Sequence, residues 1–267
     1  KFSFVDRERA ERMLRKGKIV LFIQLSVTGT LHFHLDPANE TSYLAYLILS
    51  RRLSQEKVAL QLNPVTGHGN RYIDFLIPGL MALGIMNSCL WGIGYILIEY
   101  RMKKLMRRMI ATPVKRAAIL MSFFLSRMTI NLVEVLLLFI FGYFYFGFVL
   151  QGNLASVLAL FISGNVAFAG LALLLASRAE NTRTGNGIIN VVSIPLMLAS
   201  GIFFSYANFP EAIQGLLQYS PLALLADALR TVFNTAGDFG EIALPIVVLN
   251  LFGLFCFSLS LKIFRWH

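Results

Sequence analysis

Residues 74–116 decide the fold of this chain, and they read DFLIPGLMALGIMNSCLWGIGYILIEYRMKKLMRRMIATPVKR. About 25 mostly apolar residues come first, and roughly 20 apolar residues in a helix suffice to cross the hydrocarbon of a bilayer. Seven Lys and Arg follow between Arg101 and Arg116, and basic residues beside a span collect on its cytoplasmic side. The stretch therefore predicts a membrane-spanning helix that leads into a basic cytoplasmic helix.

The composition of the whole chain indicates a membrane protein. Of 267 residues, 57% are hydrophobic and 14% are charged, which is too apolar for one soluble domain. The formal net charge of +10 is typical of nucleic-acid-binding proteins, but the basic residues lie at span ends and near the N-terminus. Cys89 and Cys256 lie in apolar segments and predict no disulfide. We expect an integral protein of a bacterial inner membrane that contacts lipid and no nucleic acid.

The apolar segments predict a mainly α-helical polytopic membrane protein with five spans in this chain. The spans are predicted at residues 74–98, 117–146, 154–176, 187–204 and 242–264. The connection at 147–153 carries no basic residue, whereas Arg178, Arg183 and Lys262 mark cytoplasmic ends. The C-terminus is then cytoplasmic and residues 1–70 lie outside, so we expect a further span upstream and six in the natural chain.

Residues 1–70 contain no predicted span and indicate a small external α/β module. A charged amphipathic helix is expected at 6–16, strand-like runs occur at 19–26 and 30–35, and helical spacing extends from about 40 to 57. The transmembrane domain is expected to fill the rest of the chain, residues 71–267.

Residues 209–233 are apolar, but they predict two short re-entrant helices on the outer side instead of another span. Polar residues and a proline interrupt the segment, and a full crossing would put the basic C-terminus on the wrong side. Ser220 followed by Pro221 is typical of a helix N-cap and first turn. Asp227 and Arg230, three residues apart, are expected to form an ion pair that stabilises the fold.

Two further groups of residues are candidates for function. The basic connection has one apolar stripe at helical spacing, formed by Met102, Leu105, Met106 and Met109. This helix should lie along the inner membrane surface, as an anchor on anionic lipid or as a docking site for a moving partner. Arg127 and Glu134 lie inside the second predicted span on one face, about 10.5 Å apart along the axis. They either line a charge pathway or hold helices together.

Several motifs of enzymes are missing from this sequence. It has no Gly-x-x-x-x-Gly-Lys-Ser/Thr phosphate loop, so the chain is not expected to bind ATP itself. It also has no Gly-x-Ser-x-Gly and no His-Glu-x-x-His. His32 and His34 share a strand face, but two histidines without a third ligand are weak evidence for a metal. We predict no catalytic site, no metal and no cofactor in this chain.

Four short motifs follow one another along the chain. They are YIDFLIPGL at 72–80, ATPVKR at 111–116, SGIFF at 200–204 and PLALLADALR at 221–230. In this order they resemble the ABC-2 type exporter permeases, and the resemblance extends over about residues 70–265. The N-terminal module resembles the external domain that longer members place between their first two spans.

The resemblance implies a subunit that dimerises, with itself or a close paralogue, and that two cytoplasmic ATP-binding subunits drive. Those partners would hold the ATP and Mg, and a hydrophobic or amphipathic substrate would move outward. The coupling loop would be residues 99–116, with contacts to the ATP-binding subunits at Glu99, Arg101, Lys104, Arg107 and Arg108. An outer gate would lie within residues 209–233, at Asp227 and Arg230.

Two other functions remain open from the residues alone. An ion-coupled secondary transporter or channel would use Arg127 and Glu134, but such proteins commonly show internal inverted repeats, and no convincing repeat is evident. A membrane receptor or scaffold would bind a ligand with its external module.

Overall fold

The fold comes from a computed structural model that describes residues 5–6, 10, 13–14, 19, 21–25, 31–35, 40–53, 60–64, 72–110, 116–177, 179, 181–203, 211–235, 237 and 239–263. A small α/β part comes first in the chain, and a helical part follows it.

A three-stranded sheet and one helix form the α/β part. Strands β1 (Leu21–Leu25) and β2 (Leu31–Leu35) are antiparallel, and β3 (Leu60–Pro64) follows helix α1 (Glu40–Leu53) and pairs parallel to β2. Phe33 of the central strand is fully buried and packs edge-on against a tyrosine of α1. Alternate residues of a strand face the same side, so these contacts attach the helix to one face of the sheet.

The predicted strands and the helix after them are confirmed, although the sequence does not predict β3. This strand has only five residues and ends in Asn63 and Pro64, which are both rare in strands. The predicted helix at 6–16 is described only in part: Ala10, Met13 and Leu14 are helical, and most of its other residues lie outside the described ranges.

The helical part begins with one long helix that is irregular in its middle. Helix α2 (Tyr72–Cys89) continues without interruption into a π-helical segment (Leu90–Tyr95) and then into α3 (Ile96–Met102). We call these three stretches together the first membrane helix. The remaining helices are α4 (Leu105–Ile110), α5 (Arg116–Phe146), α6 (Leu154–Ala176), α7 (Thr182–Ala199), α8 (Glu211–Gln218), α9 (Pro221–Thr235) and α10 (Phe239–Ile263).

Four of the described helices are long and apolar enough to cross a membrane, whereas five spans were expected. These four are residues Ile73–Met102, Ala118–Phe146, Leu154–Ala176 and Phe239–Ile263. The segment expected at 187–204 forms α7, which begins earlier and ends at Ala199. Its 18 residues extend about 27 Å, slightly less than the roughly 30 Å of bilayer hydrocarbon, and Arg183 and Asn186 make its first turns polar. Within the described residues, the structure thus supports four of the five expected spans.

The first membrane helix and α6 form the centre of the helical part. In an apolar stretch of 18 residues, about 67% is buried in each of these two helices, compared with 6% in α5. Helix α5 therefore lies at the periphery of the helical part. Helix α6 also crosses α10 very closely, because glycines meet at the crossing. A Cβ on Gly253 would come within 2.6 Å of the Val166 carbonyl oxygen, and a Cβ on Gly170 would overlap the carbonyl of Gly253. Small residues permit such close approach of membrane helices.

We expect Gly253→Ala to destabilise the protein, since the backbone of α6 blocks the space that the added methyl group needs. Overpacking of this kind typically costs about 1–3 kcal/mol. The measurement is thermal unfolding of the detergent-solubilised protein. Unfolding is monitored as the loss of the monodisperse peak in size-exclusion chromatography after heating.

Gly187→Ala in α7 is the matched control, because nothing lies within 4 Å of a Cβ at that position. Equal unfolding temperatures for the two variants would contradict the close crossing of α6 and α10.

Candidate functional site: arginine contacts along the first membrane helix

Arg230 of α9 attaches this helix to the Tyr72 end of the first membrane helix. Its side chain is only 3% exposed, and its Nε donates a hydrogen bond to the carbonyl oxygen of Phe75 at 3.1 Å. Its Nη2 donates to the Gly201 carbonyl at 3.4 Å, and its Cζ lies 3.5 Å from the centre of the Phe75 ring. The predicted ion pair with Asp227 is confirmed, with Nη1 and Oδ1 separated by 2.8 Å. Arg230 therefore joins α9, α2 and the end of α7.

Pro78 explains why an amide side chain of α9 also donates a hydrogen bond to the first membrane helix at this point. In a regular helix the carbonyl of Asp74 would accept from the N–H of residue 78, but Pro78 has none. Asn234 Nδ2 donates to that carbonyl at 3.0 Å and replaces the missing donor. Asn234 follows Arg230 by one helical turn, so one face of α9 holds both carbonyls.

The start of α9 confirms the capping expected from the sequence. Ser220 Oγ accepts a hydrogen bond from the N–H of Ala223 at 3.2 Å, and Pro221 is the first helical residue. Helices α8 and α9 are the two short helices expected within residues 209–233. The contacts of Arg230 agree with the stabilising role that the sequence predicts, and the outer gate at Asp227 and Arg230 stays a prediction.

Arg127 of α5 lies against the middle of the first membrane helix. Its Nε donates to the carbonyl oxygen of Ser88 at 2.7 Å, just before the π-helical segment. A Cβ on Gly92 would overlap the Arg127 side chain, so the absence of a side chain at Gly92 makes room for the guanidinium. Glu134 Oε1 lies 4.0 Å from Arg127 Nη2. The two charges thus lie together, as their shared helical face predicts, but the arginine is also engaged with the backbone of α2.

Amide side chains connect α5 to α6 at the same depth. Asn131 Nδ2 donates to Asn165 Oδ1 at 2.9 Å, and Asn165 Nδ2 donates to the carbonyl of Phe161 at 2.8 Å. The thiol of Cys89 is 3.6 Å from Asn165 Oδ1. Sequence reasoning did not single out these asparagines, although an asparagine within an apolar helix is itself a signal of an interhelical hydrogen bond.

Arg101 holds the Met102 end of the first membrane helix. Its Nη1 donates to the carbonyl oxygen of Ala179 at 3.0 Å, in the connection between α6 and α7. The N–H of Thr182, the first residue of α7, lies 3.1 Å from the sulfur of Met102. Arg101, which the family resemblance places at a partner surface, is therefore partly buried in a contact within the chain.

The sequence predicts one helix with one continuous apolar stripe for the basic stretch, but the structure divides this stretch between two helices. Helix α3 ends at Met102, and Lys104 has a φ of 55°, a left-handed conformation that commonly ends helices. Met102 and Leu105 consequently lie on different helices. The predicted Thr112–Pro113 cap lies outside the described residues.

The predicted partner-contact residues differ in what they can offer to a partner. Glu99 accepts a 2.6 Å hydrogen bond from Lys103, and this hydrogen bond, with the charge of the carboxylate, raises the pKa of Lys103. Lys104 and Arg108 are exposed, whereas the side chain of Arg107 lies outside the description. Lys104 and Arg108 are thus the predicted cations that the described structure presents on its surface.

Comparison with known proteins assigns a family to this arrangement. The family model described as ABC-2 type transporter matches residues 9–234, which is most of the chain. The chain belongs to the ABC-2 type transporter family. This membership and the long apolar helices establish it as an integral membrane protein and a transporter membrane domain.

A curated relative supports the assignment to ABC transporters. The chain is 22% identical over 226 residues to ABC transporter G family member 20 of Dictyostelium discoideum. The match covers 78% of this chain and 30% of that relative's length.

Within the described residues, no group of three or more His, Cys, Asp or Glu side chains could hold a metal ion.

We expect Arg230→Met to destabilise the protein, because it removes the Nε and Nη2 donors to the carbonyls of Phe75 and Gly201. A hydrogen bond that involves a charged group contributes about 1.5–3 kcal/mol. The measurement is again the unfolding temperature in detergent.

Asp227→Asn is the control, since Asp227 is 42% exposed and the amide oxygen can still accept from Arg230. A loss in Asp227→Asn as large as that in Arg230→Met would show that the ion pair, and not the carbonyl contacts, holds α9.

Proposed function

We propose that this chain is the permease subunit of an ATP-driven exporter. The match of residues 9–234 to the ABC-2 type transporter family carries the proposal, and the related ABC transporter G protein supports it. The mixed aromatic and aliphatic surfaces of the spans suit a hydrophobic or amphipathic substrate, which the transporter would move outward. The subtype would be the longer one, with the α/β part as an external domain between the first two spans.

The energy for transport would come from partners. Membrane domains of this family generally work with ATP-binding subunits, and the present sequence lacks a phosphate loop. We expect two such subunits, which bind the ATP and Mg, and a second permease subunit that is identical or closely related. This chain would contribute no catalytic residue and no cofactor.

The distribution of charge supports an orientation. The Met102 end of the first membrane helix, with Lys103, Lys104 and Arg108 beside it, would be cytoplasmic, as would the end of α10 at Lys262. Residues 1–70 and the α8–α9 pair would then face outward, across a bacterial inner membrane.

The structure suggests how force would enter. Helix α4 follows the first membrane helix after two residues, Lys103 and Lys104, and the exposed cations Lys104 and Arg108 lie there. A partner that pushes on this end acts on a helix that Arg230 joins to α9 at the other end. Motion at the ATP-binding subunits would thus reach the outer helices through one continuous element.

Charge reversal tests the contact surface. In Lys104→Glu/Arg108→Glu we expect the affinity for the ATP-binding subunit to fall by about tenfold or more, because like charges at an interface cost several kcal/mol. The measurement is co-purification of the full-length permease with its co-expressed ATP-binding subunit, with ATP hydrolysis as a second readout. Lys262→Glu is the matched control, since Lys262 is an exposed cation at the end of another span.

The two parts of this proposal can fail separately. If the unmodified permease neither binds an ATP-binding subunit nor supports ATP hydrolysis, the exporter function is wrong. If it binds and the double variant binds equally well, only the contact surface is wrong. Arg101→Glu should instead lower the unfolding temperature, because Arg101 bonds the Ala179 carbonyl.

A further inference from the structure

Helix α1 of the α/β part has apolar side chains on two opposite sides. On one side Tyr46 packs edge-on against Phe33 of the sheet. Leu44, Leu47 and Ile48 are 58%, 43% and 60% exposed. At about 100° per residue these three positions lie on the side of α1 opposite Tyr46. A helix that is apolar on both sides is normally covered on both, so the exposed side is a candidate docking surface.

Arg51 belongs to the same side of the helix. It follows Ile48 by three residues and Leu44 by seven, and its side chain is exposed. Leu44, Leu47, Ile48 and Arg51 are the exposed side chains within residues 44–51 of α1. We call these four residues the exposed stripe. It combines a compact apolar surface with one cation at its end.

The chain tethers the exposed stripe close to a membrane surface. Strand β3 ends at Pro64, and the helix that is long and apolar enough to cross a membrane begins at Ile73. Nine residue steps join these two points, and a fully extended chain of that length reaches about 32 Å at most. Strand β3 pairs with β2, against which α1 packs. The α/β part therefore lies beside the lipid headgroups at this end of the span.

The charge of the N-terminal region suits an anionic lipid surface. Residues 1–71 contain eleven Lys and Arg compared with six Asp and Glu. Helices that lie in the membrane interface bind through buried apolar area together with electrostatic attraction to anionic lipid. An arginine at the edge of such a surface keeps its aliphatic stem in apolar surroundings while the guanidinium reaches the headgroups. The exposed stripe has both components.

A second copy of the chain fits the exposed stripe less well. In a twofold dimer the same patch of each subunit meets its counterpart. Arg51 would then approach Arg51 of the other copy, because the stripe is only two helical turns long. Like charges that face each other across an interface are unfavourable. Lipid phosphates instead offer the guanidinium an opposite charge.

We propose that the exposed stripe of α1 docks on the membrane surface next to the Tyr72 end of the first membrane helix. Leu44, Leu47 and Ile48 enter the boundary between headgroups and acyl chains, and Arg51 binds the phosphate of an anionic phospholipid. This docking holds the α/β part against the bilayer. It applies to either orientation of the chain, so it does not rest on the exporter function.

A nitroxide label at Ile48→Cys distinguishes lipid, water and protein as the surroundings of the stripe. The labelled full-length protein is placed in nanodiscs of phosphatidylcholine and phosphatidylglycerol. Power-saturation electron paramagnetic resonance then measures the access of molecular oxygen, which concentrates in lipid, and of a water-soluble nickel chelate. The native cysteines Cys89 and Cys256 are buried, and the unsubstituted protein measures any background labelling.

We expect the ratio of oxygen access to nickel access to be several-fold higher at Ile48→Cys than at Ser50→Cys. Ser50 is the matched control because it is partly exposed and lies on the flank of the same helix. Leu44→Cys, at another exposed position of the stripe, should give the same high ratio as Ile48→Cys. Both substituted positions are exposed, so the fold should tolerate the label.

Arg51→Glu, added to Ile48→Cys, tests the anionic lipid. We expect the ratio to fall toward that of Ser50→Cys, because a carboxylate is repelled by lipid phosphates. Arg51→Lys keeps the charge and should keep the ratio. Nanodiscs of phosphatidylcholine alone should lower the ratio of the protein that retains Arg51.

Each contrary outcome overturns a stated part of the docking. High nickel access at Ile48→Cys would show that the stripe faces water, and the docking would be wrong. Low access of both reagents would show that protein covers the stripe, which also overturns it, and dipolar broadening of the spectrum would then identify a second copy. A high ratio that neither Arg51→Glu nor the loss of phosphatidylglycerol changes would overturn the binding of Arg51 to anionic lipid.

Discussion

Hydrogen bonds from arginine side chains to backbone carbonyls hold the first membrane helix in its place. Arg230 bonds Phe75, Arg127 bonds Ser88, and Arg101 of the helix itself bonds the Ala179 carbonyl. A guanidinium without an acceptor is costly in apolar surroundings, so each of these carbonyls stabilises the arginine that it binds. Residues 75, 88 and 101 follow one another at intervals of 13 positions, and each interval is about 20 Å along a helix. The three arginine hydrogen bonds therefore lie at three levels along the first membrane helix.

These contacts lie where the largely buried first membrane helix is irregular. Pro78 leaves the Asp74 carbonyl without its helical donor, and Asn234 replaces it. The π-helical segment lies beside the Arg127 contact, and Gly92 admits the side chain there. A regular helix would offer the Asp74 carbonyl to a neighbour less readily, because its own N–H group would already be bonded to it. In the proposed transporter, motion at α4 would pass through this helix to α9.

Much of the fold could be predicted from local pattern. The apolar lengths indicate the long helices, the Ser220–Pro221 pair marks the start of α9, and strand-like runs predict β1 and β2. The predictions fail where partners in space decide the conformation. Strand β3 depends on pairing with β2, and the break at Lys104 divides a stripe that looks continuous in sequence. Helix α7 is displaced from its predicted position because its polar first turns resemble a loop.

The sequence by itself determined that this is a polytopic membrane protein of the ABC-2 type, because apolar length and ordered motifs are properties of consecutive residues. It also determined the shared face of Arg127 and Glu134, since helical periodicity sets that. Only the tertiary structure decided what the arginines bind. The family resemblance implies a partner contact for Arg101, whose guanidinium here bonds the Ala179 carbonyl, and Arg127 bonds a carbonyl 39 residues earlier in the chain. A guanidinium takes whichever acceptor the packed helices bring within hydrogen-bonding distance, and no local pattern specifies that acceptor.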